Sequence, residues 1–224
     1  MDTNYKGEEM RKYYYIFWVI IIIFLFNTNS YATSLTNFGF ETGDFSGWNV
    51  DGCIVGSTGL VVNSYTGQHG TYLAVYGTYF AFLASDATKL QSWISQDFTI
   101  TQGNTISGSA AFDSNDNWMQ FNDSAEIMIF DANGIKIAMP WYMDAATVGV
   151  TIGNYNQTPW QSWSWTAPSS GTYTVEFIFR DLGNPNSKVL FDAPQITNVV
   201  PEPSTWLLLC FGLMGLVGVK KKFS

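Results

Sequence analysis

Alternating apolar and polar residues fill the middle of this 224-residue chain, and an unbroken apolar run lies toward each end. Residues 70–77, 93–101, 105–112, 125–130, 134–138, 172–180 and 188–191 are rich in β-branched and aromatic side chains. Clusters of Gly, Asn, Asp, Ser and Pro punctuate them, such as Gln102-Gly103-Asn104, Asp131-Ala132-Asn133-Gly134 and Ser169-Ser170-Gly171. That spacing predicts short strands joined by turns. Residues 125–138 read as one hairpin around Asp131–Gly134, with Glu126, Met128 and Phe130 on one face and Ile127 and Ile129 on the other. In 172–180 the odd positions Tyr173, Val175, Phe177 and Phe179 are large and apolar, while the even ones, Ile178 apart, are polar. A strand patterned in this way buries one face. No convincing amphipathic helix interrupts the series, so the expected fold is all-β, an antiparallel sandwich or barrel.

The terminal runs belong to a different physics. Lys6, Arg11 and Lys12 precede an apolar stretch over 13–26, and Ser30-Tyr31-Ala32 places small residues where signal peptidase reads them. This is the order of a secretory signal peptide, 1–32, cleaved near Ala32; an uncleaved anchor is the alternative reading. At the other end Pro201-Glu202-Pro203 stands before residues 206–219, which are apolar or glycine throughout, and Lys220-Lys221-Lys222 closes the run. The prolines hold the backbone extended outside any following helix. Fourteen helical residues rise about 21 Å, against roughly 30 Å of hydrocarbon. Trp206 at one interface and snorkelling lysines at the other would shorten that deficit for a single transmembrane helix. Cations flank both runs on their outward sides, so both termini are expected in the cytoplasm and everything between them across the inner membrane.

This tail closely resembles the PEP-CTERM sorting signal of bacterial envelope proteins: Pro201-Glu202-Pro203, one hydrophobic helix and a basic end. The resemblance implies that residues 199–224 are a sorting signal, recognised and cleaved near the tripeptide by a membrane-embedded exosortase-type enzyme. Family tails often end in arginine, where this one has lysine.

Residues 33–198 remain as the passenger, long enough for a sizeable core. From Thr33 to Val200 there are four cations (Lys89, Lys136, Arg180, Lys188) and fourteen acids, a net charge of −10 against −8 for the whole chain. Nucleic acid is therefore not an expected partner, because phosphate binding needs clustered Lys and Arg. Cys53 is the single cysteine outside the apolar ends, so no internal disulfide is expected. It reads as a small buried apolar residue.

The passenger also resembles jelly-roll modules related to carbohydrate-binding families. Its opening, Asn37-Phe38-Gly39-Phe40-Glu41 with Trp48 following, and its closing run Ser187–Ile196 with Asp192 after apolar residues, carry that likeness. The resemblance implies a jelly-roll β-sandwich in which Glu41 and Asp192 hold a structural Ca²⁺ with backbone carbonyls. A cation of that kind takes six to eight oxygens and tolerates irregular loops. The plain alternative makes Glu41 an exposed turn acid and Asp192 a strand-end cap.

Candidate chemistry outside that pair is sparse. Asp113–Asn117 fits the opening of an EF-hand loop, but Trp118 stands where glycine is needed and Ser124 where the bidentate Glu belongs. The stretch reads as a polar connection. Among the tryptophans, Trp163 and Trp165 share a face and are expected in the core, whereas Trp118 and Trp141 are expected in polar or Pro-broken loops, the latter in Met139-Pro140-Trp141-Tyr142. Those two are the candidate platforms for a sugar, with core or rim packing as the alternative. His69 is the only histidine, so no Ser-His-Asp or Cys-His constellation assembles, and zinc sites built on several His or Cys are excluded by count. The expected function is that of an exported, non-catalytic envelope protein contacting extracellular polysaccharide. A polysaccharide-degrading glycoside hydrolase or lyase using two acids is the rival from another class, and a purely structural surface or matrix protein is the third reading.

Overall fold

The computed structural model describes Tyr15 and residues 35–51, 59–85, 90–114, 122–149, 156–182 and 187–197. The chain divides into two compact units, Met1–Ala32 and Thr33–Ser224. Of the first unit only Tyr15 is described. Trp118, Pro201, Glu202, Pro203 and the C-terminal apolar run lie outside the described residues.

The second unit is built from antiparallel sheets. In one, β1 (Asn49–Asp51), β6 (Gln91–Ile100), β12 (Gly171–Arg180), β8 (Ser124–Asp131) and β9 (Lys136–Asp144) lie in that order. In the other the order is β10 (Asn156–Gln157), β7 (Thr105–Ser114), β13 (Lys188–Thr197), β5 (Phe80–Ala84) and β2 (Gly59–Val62), and β11 (Gln161–Thr166) continues along the same edge of β7 as β10. A separate hairpin pairs β3 (Ser64–Gly67) with β4 (Gly70–Leu73). The expected sandwich is present, as two sheets that share one core. Phe177 of the five-stranded sheet stacks on Phe191 of the six-stranded one with ring centroids 4.5 Å apart, and Phe112 meets Phe179 at 6.4 Å. Val175, Phe177 and Phe179 are fully buried, as the alternation of β12 requires.

One expectation needs correction at the element level. Met139-Pro140-Trp141-Tyr142 is not a loop but part of β9, with Trp141 opposite Ile127 and Ala138 opposite Ile129. Met139 and Pro140 together face the single residue Met128, which is a β-bulge. Proline is tolerated there because β9 is an edge strand of its sheet. A single helical turn follows β9, α1 (Ala145–Val148), capped by Asp144, whose carboxylate accepts from Thr147 N at 2.7 Å, and ended by Gly149 at φ 83°.

The segment before β1 explains the opening motif. Phe38, Phe40 and Trp48 are buried, and Trp48 spans from Phe40 (5.1 Å) to Phe177 (5.2 Å). The buried Gln96 amide of β6 donates to Thr36 O at 2.8 Å and Gly47 O at 2.6 Å, fastening this segment to the sheet. Glu41 is left exposed.

Candidate functional site

Glu41 and Asp192 come from opposite ends of the domain and meet the same loop, which joins β4 to β5. Both Glu41 oxygens accept from Thr78 N, at 3.1 and 2.9 Å, and Oε1 also accepts from Tyr79 N at 3.2 Å. Asp192 is fully buried and projects from the outer face of β13, where Oδ2 accepts from Val75 N and from Tyr76 N, the latter at 3.2 Å. Gly77, at φ 76°, passes so close to the Glu41 carboxylate that a side chain there would collide with it. Two carboxylates at one loop are the hard donors calcium prefers, and to that extent the pair fits the ion. Backbone N–H groups face them at present and would compete with a cation. Among the described residues no group of three or more His, Cys, Asp or Glu is arranged to hold a metal.

Trp141 is not a platform for a ligand. It is 7% exposed, its ring meets Phe191 edge-on at 6.1 Å, and its Nε1 donates to Gln161 Oε1 at 2.8 Å. Inward projection from β9 covers the faces a sugar would need. Trp163 is buried as its alternation predicts, and Trp165 packs partly buried against the same core.

Among the described tryptophans, Trp160 stands half-exposed at a surface cleft. The β3–β4 hairpin lies over the outer face of the six-stranded sheet, where Tyr65 and Tyr72 pack with Phe80, Phe82, Ala111 and Leu190 in a second apolar cluster. Trp160 stands edge-on to Tyr72 (5.8 Å) and Phe80 (5.6 Å), and its Nε1 donates to Leu73 O at 3.0 Å, so the indole is fixed while half-exposed. A cleft of about 600 Å³ opens beside it, edged by His69, Thr71, Leu73 and Gln157. His69 N donates to Gln157 Oε1 at 3.1 Å across the mouth. The alternation of β11 carries the signal for this residue: Trp163 and Trp165 point inward, so positions 160, 162 and 164 point outward.

Behind this cleft lies the buried carboxylate of Asp113, 1% exposed, which accepts from Tyr65 Oη at 2.7 Å. Burial pushes its pKa up, against the opposing pull of the Tyr65 hydroxyl, Lys188 and His69. A Cβ at Gly67 would meet Asp113 Oδ2 at 2.5 Å and Gln157 Oε1 at 2.6 Å, so glycine lets the hairpin backbone settle onto both.

The five-stranded sheet presents a second polar face. Register places Trp93, Ile178, Glu126 and Tyr142 in one row across β6, β12, β8 and β9, all on the side away from the core. Arg180 Nε donates to Glu126 Oε1 at 2.8 Å. Tyr142 Oη donates to Asp144 Oδ2 at 2.9 Å. Glu176, diagonal to Glu126 on the neighbouring strand, has its pKa raised chiefly by burial, with Arg180 opposing and Glu126 reinforcing.

Comparison with known proteins places a motif on the C-terminus and a set of sandwiches beside the fold. Among curated proteins none matches the chain in sequence. Similar solved structures include TmCBM61 in complex with β-1,4-galactotriose, at 15% identity and a TM-score of 0.47 over 75% of this chain and 99% of that one. Carbohydrate-binding modules from the β-sandwich superfamily align at 14% identity and TM-score 0.44, covering 77% of this chain and 62% of the other. The K1 cleaved adhesin domain of Lys-gingipain from Porphyromonas gingivalis W83 aligns at 9% identity and TM-score 0.43, covering 74% and 96%. Among the described residues no helix is long and apolar enough to cross a membrane. Residues 199–222 match the PEP-CTERM protein-sorting motif, so the chain carries a signal that implies export, membrane anchoring before processing, and processing by an exosortase-type enzyme.

Proposed function

We propose that this chain is delivered to the cell envelope or beyond it, and that its jelly-roll-type sandwich there binds extracellular polysaccharide without turning it over. The observation that supports this is the cleft beside Trp160: a fixed, half-exposed indole with amide, hydroxyl and imidazole groups at its edge. Sugars offer C–H faces to an aromatic ring and hydroxyls to polar neighbours, and pockets of this make-up suit them. Titration of the full-length protein in a non-glycosidic detergent against a glycan panel tests it. Binding is expected to at least one neutral polysaccharide, weakened by about tenfold or more, roughly 1.4 kcal/mol, in Trp160→Phe and Trp160→Ala. Silence across the panel, or unchanged affinity in both variants, overturns the reading.

Calcium belongs to the same proposal as a structural ion held by Glu41 and Asp192. The convergence of both carboxylates on residues 75–79 supports it. A rise in melting temperature with calcium, absent in Asp192→Asn, is expected; no rise in the parent protein removes the ion from the account.

A second reading has its own observation. Glu126, held by Arg180, and Glu176, whose pKa burial raises, are diagonal neighbours between strands, roughly 7–8 Å apart along the backbone. Two carboxyls in unlike settings on one face are what glycoside hydrolysis uses. Release of reducing ends from a bound polysaccharide, lost in both Glu126→Gln and Glu176→Gln, would replace the binding reading by this one.

A further inference from the structure

A second cleft, of about 360 Å³, lies on the same outer face of the six-stranded sheet. Its floor is Ser107 and Ser109 of β7 with Ser162 and Ser164 of β11, closed by Gln195, and its wall is Val75 and Tyr76. The two clefts have no lining residue in common, but their linings adjoin along two segments of the chain. Trp160 edges the first, and Ser162 and Ser164 of the second follow it at every other position, so residues 160 to 164 carry one surface over about 13 Å. On the opposite side the segment 69–73 that edges the first cleft runs directly into Val75 and Tyr76.

The wall is held from below. Asp192, opposite Ser109 in the ladder, accepts the N–H groups of Val75 and Tyr76, and Glu41 accepts those of Thr78 and Tyr79. The loop backbone is thus pinned while the side chains of Val75 and Tyr76 stay 51% and 66% exposed. Two apolar side chains presented on a fixed backbone above a row of hydroxyls are suited to the C–H and O–H sides of a sugar chain. Neither cleft is lined by Lys or Arg among the described residues, and the carboxylates of Asp113 and Asp192 belong to the same face. An anionic chain would meet no Lys or Arg in the lining of either cleft, and Lys188, on the same face, stands opposite Asp113 in the ladder.

We infer that the two clefts form one groove that takes an extended, uncharged polysaccharide chain, with Trp160 at one end and the pinned Val75–Tyr76 wall at the other. This rests on the reading of the Trp160 cleft given above and adds the ligand's class and its direction along β11. Ladders of neutral β-linked oligosaccharides (cello-, xylo- and galacto-series, disaccharide to hexasaccharide) titrated into the full-length protein test it, with oligogalacturonates as the charged comparison. Affinity is expected to rise by about tenfold or more from disaccharide to hexasaccharide in at least one neutral series. Tyr76→Ala is expected to shrink that gain, Asp192→Asn to shrink it with the Tyr76 side chain still present, and the charged series to bind at least about tenfold more weakly. Binding that depends on Trp160 but not on chain length, or equal binding of the charged series, overturns the groove and leaves the simpler reading standing. No binding by any of these oligosaccharides overturns the groove, and silence across the wider glycan panel as well overturns both.

Discussion

Asp113 is the residue whose setting departs furthest from its sequence context. Read along the chain it opens a polar stretch resembling a failed EF-hand loop; in the fold it ends β7, buried beneath Tyr65 and the hairpin. Its raised pKa has a definite sign for stability. Between the ordinary carboxylate value and the raised one the folded chain holds the proton and the unfolded chain has lost it, so stability falls as pH rises through that window. Asp113→Asn keeps an acceptor for the Tyr65 hydroxyl and removes the titration. The urea midpoint of the variant is expected to fall less steeply than that of the parent as pH rises above the ordinary carboxylate value, and an identical slope in both would contradict the assignment. Phe177 offers the contrasting case of a residue whose role was legible outright: an odd position in an alternating strand, fully buried, touching Phe191, Trp48 and Trp163. Phe177→Ala is expected to cost about 3–5 kcal/mol in equilibrium unfolding.

Strands with one buried face could be read directly, because their period is enforced by the core: β6, β7, β8 and β12 fall where the alternation places them. Strands that escaped are those with another pattern. β5, Phe80–Ala84, is buried on both sides because the β3–β4 hairpin covers its outer face, so nothing alternates. β9 is legible only as far as Ala138, and Pro140, whose bulge an edge position permits, obscures its continuation to Asp144. That difference in register is also why Trp141 turns inward, and why Trp160, on the outward phase of β11, supplies the exposed indole instead. The hairpin joining β8 to β9 is held by Asp131, whose Oδ1 accepts from Asn133 N and Ile135 N, both at 2.9 Å, and by Gly134 at φ 74°. Gly134→Ala meets no neighbour within 4 Å, so only the backbone conformation resists it. A loss of about 1 kcal/mol in stability is expected by thermal melting, without change in glycan affinity.

At the scale of the molecule, the sorting motif was written in the C-terminal end and the fold in the middle, while the candidate groove was visible in neither. Grooves depend on which strands become neighbours, and β7, β11 and the loop after β4 are brought together only by the topology. The sorting motif carries its own expectation. Replacing Pro201-Glu202-Pro203 with alanines should leave an unprocessed, membrane-retained form, seen by mass spectrometry as a product keeping the C-terminal lysines; normal shortening would exclude the tripeptide from recognition.

The strand leading to that motif, β13, lies inside its sheet, hydrogen-bonded to β7 on one side and β5 on the other. Its first part, Lys188–Phe191, is gripped along both flanks, and the remainder to Thr197 by β7 alone, so a mechanical load entering through the C-terminal tether meets one ladder first and two behind it. The inner part yields only when two ladders slip together, whereas an edge strand peels away one bond at a time. A domain suspended by its tail would, by this wiring, resist drag from a ligand that is itself part of a larger matrix.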